Sequence, residues 1–335
     1  MAGASYSTDR PYPFVISISI PSRSEVRLHV GGCTVGFACG GTEWEEPIGD
    51  FTARCRAEEP GPYVGTICWG FDSGPPSSGP PDLTAETIRA WTRQEAPRFE
   101  LATAEIVLSG IDRVVVQART GSAGRAFRQA LPLALGWLLS RADHWVIHGA
   151  AIAPGPGDNA LLVLGPTGTG KSTTAAAAIQ AKWSVLADDC VVVRLGSRYA
   201  EVRGIPRPLA LPSGLNGLNT RGRPIQDDLR GRWAVEVPLA TGWHPVGSLV
   251  ILAHGTEAET HIEPATGIEA LRALWASHFP AAVASRLKLW FPRAGSLARL
   301  PVWRMRLGAD EATRLDTISR CFQEVIAKAP TSTPP

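Results

Sequence analysis

Residues 160–174 read ALLVLGPTGTGKSTT, and the rest of the chain is organised around them. Ala160 to Leu164 is an unbroken apolar run, the pattern of a strand covered on both faces. Gly165, Gly168 and Gly170 supply a tight loop, and Ala175 to Ile179 continue as a strong helix former. Strand, loop and helix thus frame the spacing G-x-x-x-x-G-K-[ST]. Glycines let backbone N–H groups point into one concavity, and a helix N-terminus adds positive potential there, so polyphosphate oxygens can be held. The expected nucleotide-binding residues are Gly165, Pro166, Thr167, Gly168, Thr169, Gly170, Lys171, Ser172 and Thr173. Lys171 would neutralise the β- and γ-phosphates, and the Ser172 hydroxyl suits Mg2+. A chance match arises in roughly one such chain in two hundred. One of only four lysines falls where the loop needs it. ATP with Mg2+ is the expected ligand, although the loop does not separate ATP from GTP.

The chain has 335 residues, 44% hydrophobic and 19% charged, which fits a packed globular protein and excludes a wholly disordered one. Basic and acidic residues nearly balance at 33 and 31, so no strong field points to nucleic acid or to a membrane surface. The longest apolar run, Ala130 to Leu139, is too short to span a bilayer. The opening MAGASYSTDR lacks the basic-then-apolar layout of a secretory signal, so a cytoplasmic protein is expected. The six cysteines include no C-x-x-C pair; reduced, partly buried thiols are expected rather than a zinc site. Composition leaves open a homo-oligomer.

Two domains are expected, 1–120 and 121–335. In the first, residues 13–41, 63–70 and 105–118 read as short strands, and DSGPPSSGPPD at 72–82 reads as an exposed loop. This makes a small, mostly-β unit with no recognisable chemistry. After Thr120 the texture changes. Phe127, Leu131, Leu135 and Leu138 have helical spacing within 123–141, with Pro132 expected to kink or restart the helix. Strands follow through about residue 212. Val246–Ala253 is a further strand, and Gly267–Phe279 and Asp310–Lys328 are helices, before the APTSTPP tail. The fold class is α/β.

KWSVLADDCVVV (182–193) is a strand interrupted by Asp188 and Asp189. Two acids in an apolar run are costly to bury without a cation or a proton donor. A helix of about a dozen residues, roughly 18 Å long, and a short returning strand bring them back level with the loop. Consecutive strand side chains face opposite ways, so the two acids should play different roles. WVIHGAAIA (145–153) is another strand. A hairpin centred near Pro156 would set His148 opposite about Leu164, where it could hold a carboxylate or carry a proton. The strand YAEVRGI (199–205) follows the Gly196–Ser197 turn. Its hairpin register favours Arg203 and Gly204 beside the acids, with Glu201 further off.

His148-Gly149, GPTGTGKS, LADD and EVRGI, in that order and spacing, resemble the catalytic domain of HPr kinase/phosphorylase, whose core is related to phosphoenolpyruvate carboxykinase. The likeness covers roughly 144–212. The helical lead-in and the first 120 residues are more similar to shorter HPr-kinase-related proteins, some of which act on precursor peptides in natural-product pathways, including lasso-peptide kinases. The resemblance implies a P-loop nucleotide-binding domain behind a small mostly-β one. It implies that Lys171 and Ser172 hold phosphates and metal, that Asp188 is the base taking a proton from an acceptor serine, and that Asp189 faces the metal. His148 would support Asp188 or the acceptor, and Glu201 matches the acid of the family's E-[IV]-R-G motif, tied to metal binding. The later arginine-bearing loop of the full enzyme has no close match; Arg221, Arg223, Arg230 and Arg232 are the nearest candidates to clamp phosphate.

The expected function is therefore an ATP- and Mg2+-dependent kinase acting on a serine hydroxyl of a peptide or protein. The catalytic residues are Asp188, His148 and Lys171, the metal residues are Ser172, Asp189 and Glu201, and the first domain, lacking catalytic residues, is the natural candidate for choosing the acceptor. Water in place of the hydroxyl would instead make a nucleotide-gated regulator or assembly ATPase. A binding module without turnover fits less well with intact Lys171, Ser172, Asp188 and Asp189, and a carboxykinase would need a larger anion-binding constellation.

Overall fold

The computed structural model describes residues 25–55, 60–70, 79–85, 88–92, 96–119, 123–195, 199–212, 222–225, 231–278, 284–310 and 313–328. The first part of the 13–41 stretch, most of the 72–82 loop, the Gly196–Ser197 turn, Arg221, Arg230 and the tail lie outside them.

The chain is a mixed α/β protein, and its described residues form two large sheets and one small one. The first sheet has eight strands, all drawn from Val26 to Ala118. Its strands Cys33–Cys39 and Tyr63–Trp69 run parallel, and a parallel pair needs a crossover. The crossover contains a helix, Glu45–Cys55, that alternation within the flanking strands does not announce. Glu45 and Glu46 favour its N-terminus, and Ile48, Phe51 and Cys55 recur on one buried face.

The helix Ala123–Leu139 joins the two large sheets. Twelve of its residues are buried, so it is apolar almost all round, as a helix packed on more than one side must be. Its side chains share one core with Phe37, Trp69 and Val116 of the first sheet and with Val146, Val192 and Ile205 of the second. It runs unbroken through Pro132. Packing on both sides offsets the backbone hydrogen bond that proline lacks.

The second sheet has nine strands. Along its main path the order is Ser184–Ala187, Ala150–Ala153, Ala160–Leu164, His244–His254, Ala200–Gly204, Cys190–Leu195 and His144–His148. Val302–Leu307 adds to the long central strand in parallel, and His261–Pro264 pairs with it. The strand Ala160–Leu164 lies beside that central strand, His244–His254, and parallel to it, and its residues are all buried. The helix Gly267–Ser277 opens with a capping box of Thr266 and Glu269. The helix Arg314–Lys328 packs on Lys171–Gln180. All six cysteines are thiols without a disulfide, and five are buried. Among the described residues no helix is long and apolar enough to cross a membrane.

Candidate functional site

The strand Ala160–Leu164 is followed by a six-residue loop, Gly165 to Gly170, and then by the helix Lys171–Gln180. Between them Gly168 and Gly170 have φ of 90° and 100°, a region that side-chain-bearing residues rarely adopt. At Gly170 a Cβ would also lie 2.3 Å from Leu307 Cδ1, a side-chain end that can swing aside, so the left-handed φ is the stronger demand for glycine. Gly170 caps the helix without a side-chain hydrogen bond. The first-turn N–H groups of such a helix point outward with no intrahelical acceptor, a ready anion site. Lys171 is 7% exposed, and its Nζ reaches back over the loop to donate to the carbonyls of Gly165 (2.7 Å) and Pro166 (3.0 Å). Thr169 donates to the Pro166 carbonyl from inside the loop, while Pro166, Thr167 and Gly168 form its exposed rim.

Asp188 and Asp189 occupy a break between strands. Ser184–Ala187 pairs with Ala150–Ala153, whereas Cys190–Leu195 pairs with His144–His148 and Ala200–Gly204. The chain changes partners at the two acids, and the neighbouring chain does so at Gly149, whose N–H donates to the Asp189 carbonyl. The chain bends at the two acids, and their carboxyls take different partners. Asp188 is 3% exposed; it accepts from the Ala210 N–H (3.2 Å) and is hydrogen-bonded by the Ser172 hydroxyl. Burial first, and the neighbouring Asp189 charge second, push it up to about 6. Asp189 has a side chain 40% exposed, paired with Arg207 Nη1 at 2.6 Å and 3.8 Å from His148 Nε2. Its partial burial would raise it, but Arg207, then His148, Lys171 and Arg232, hold it below the usual carboxylate range. Burial pushes His148 down, so it is neutral near pH 7, although Asp189 pulls the other way.

The structure thus brings together Gly165 to Thr173, Asp188, Asp189 and His148. The hairpin around Pro156 forms, with Ala150 opposite Val163, but it ends at Ala150. His148 belongs instead to a strand that sets it opposite Cys190, so its nearest acid is Asp189 and not Asp188. The cause is Gly149, where a Cβ would lie 2.8 Å from the Val163 carbonyl and where the chain leaves one neighbour for another. Glu201 is not brought to the cluster: it lies across from Arg194, pairs with it at 2.7 Å, and stands at the far end of its hairpin from the acids. Among the described residues no three His, Cys, Asp or Glu side chains converge to hold a metal. Arg232 reaches the site through its charge on Asp189 and His148.

Arg207 is the residue that the sequence reading missed. It sits between Pro206 and Pro208, donates to Asp189, and is braced by the Arg128 carbonyl at 3.3 Å. An arginine flanked by prolines just after E-V-R-G-I is a signal of a pre-set extended segment. It does not by itself name the partner.

No family model and no curated protein matches the chain. Among solved structures, the chain is similar to the Hpr(Ser) kinase/phosphatase from Coxiella burnetii, at 11% identity and a TM-score of 0.29, over 55% of this chain and 91% of that one.

Proposed function

We propose that the chain is a phosphotransferase, carrying the γ-phosphoryl of ATP to a serine hydroxyl of a peptide or protein. The observation that carries this reading is the meeting of a glycine-capped helix start, Lys171 and Ser172 with two acids of opposite environment.

The residues present fit a triphosphate and a hard divalent cation. Lys171 has carbonyl partners that a phosphate oxygen can replace, and the helix start offers N–H donors. Magnesium keeps most of its waters and asks the protein for only one or two carboxylates, so a three-ligand protein cluster is not required. Bound Mg2+ would neutralise charge on the terminal phosphates as the phosphoryl group is transferred.

The two acids divide the work by position, and the division exchanges the roles that the family resemblance implied. Asp188, buried and joined to Ser172, is the metal-side carboxylate. Asp189, partly exposed and braced by Arg207 and His148, is the acceptor-side carboxylate, which orients the serine hydroxyl and receives its proton. Neutral His148, its Nε2 3.8 Å from Asp189, offers a nitrogen to which that proton can pass. In-line positioning and charge neutralisation supply most of such a reaction, so these few groups suffice.

The test uses ATP labelled at the γ-phosphate, offered with a serine-peptide array. Label on peptide, lost in Asp189→Asn with nucleotide affinity retained, supports the reading. Phosphate released to water by a wild-type protein that labels no peptide would replace it with an ATPase.

A further inference from the structure

A cavity of about 210 Å3 lies beside the acids, lined by Arg54, Arg203 and Arg207 and walled by apolar groups including Leu186, Pro206 and Leu239. Arg54 comes from the crossover helix of the first sheet, and the other two come from the second sheet and the segment after it. Among the described residues no acid lines this cavity. Glu236 and Asp189 bind Arg54 and Arg207 from outside the lining. Arginines from three separate segments thus border one space, two of them ion-paired on one side, and a guanidinium has donors enough to bind a second anion on the other.

We infer that this cavity is the subsite for an acidic side chain, aspartate or glutamate, of the acceptor polypeptide. The word acceptor rests on the phosphotransferase reading; the anion site does not. Fork-shaped guanidinium donors match a carboxylate bidentately. The apolar walls then suit the methylenes that a peptide side chain brings and a free inorganic ion lacks. Arg207 links this subsite to the chemistry, because it lines the cavity and also holds Asp189 at 2.6 Å. An acidic residue docked there would share Arg207 with Asp189 and set the neighbouring serine beside that acid. Arg54 places the first sheet in acceptor choice, a role the sequence left without a residue.

The experiment is fluorescence anisotropy of a labelled glutamate-rich peptide and its glutamine counterpart on the full chain without nucleotide. The glutamate peptide should bind more tightly, and less so as salt is added. Arg54→Gln and Arg203→Gln should each weaken it about tenfold, the loss of one charge-assisted contact, with circular dichroism unchanged. Arg203→Lys should keep part of the affinity. Equal binding of the two peptides, or full binding by both glutamine variants, overturns the inference, as does complete displacement by millimolar inorganic phosphate. Binding of mant-ATP, read separately, should be untouched in both glutamine variants. Its absence beside intact peptide binding would sink the phosphotransferase reading and leave the subsite standing.

Discussion

Replacing Asp188 by asparagine should make the protein more stable and less active at once. The carboxyl is 3% exposed and titrates near 6 in the fold, against 3.8 in a flexible chain. Its folded value is raised, so the native state binds the proton more tightly than the unfolded one. Stability from this group is then complete below pH 3.8 and is lost as pH rises through 6. At 1.36 kcal/mol per unit, the shift costs the wild type about 3 kcal/mol at pH 8. Asparagine has no charge to bury, and its carbonyl still accepts from the Ala210 N–H, so most of that cost disappears. Urea unfolding of Asp188→Asn and wild type should therefore differ by about 3 kcal/mol at pH 8, in favour of the variant, and converge below pH 4. The difference between the proteins reports Asp188 together with its repulsion of Asp189, because His144, His148 and His278, all pushed down chiefly by burial, contribute equally to both. A variant no more stable than wild type at pH 8 would refute the claim that an uncompensated charge sits there. Such tension between stability and activity is common at sites built to receive a cation.

Other substitutions probe neighbouring parts of the argument. Lys171→Ala removes two hydrogen bonds and a charge, and should weaken mant-ATP binding about a hundredfold, whereas Asp189→Asn should leave it within about twofold. Arg207→Gln unpairs Asp189, whose carboxyl Arg207 holds down, so the acid limb of the pH–rate profile should move to higher pH; an unmoved limb would remove Asp189 from the acceptor side. Gly204→Ala puts a Cβ 1.7 Å from the Leu186 carbonyl, a backbone atom that cannot swing away. It should cost about 3 kcal/mol or more in denaturant unfolding; a soluble variant with an unchanged midpoint would contradict the packing described.

Legibility in the sequence followed range. The helix Gly267–Ser277 declares itself by Thr266 and Glu269, and the strands at 63–69 and 104–118 by alternation, because each depends on residues a few positions apart. The helix Glu45–Cys55 was hidden by Pro47 and Gly49 inside its pattern, and it forms because two parallel strands must be joined. The expectation for His148 rested on continuing one hairpin register past Gly149; one glycine changed the partner strand, and with it the acid that the histidine meets.

The phosphate-cradling loop is a local object. Its glycines, lysine and serine lie within eight residues, and backbone sterics there leave little for the rest of the fold to choose. Which acid faces Ser172 and which faces Arg207, the removal of Glu201 to the far end of its hairpin, and the approach of Arg54 to Arg203 are decisions of strand register and packing between distant segments. Moving a strand by one residue turns every side chain to the other face, so only the assembled sheet fixes those partners.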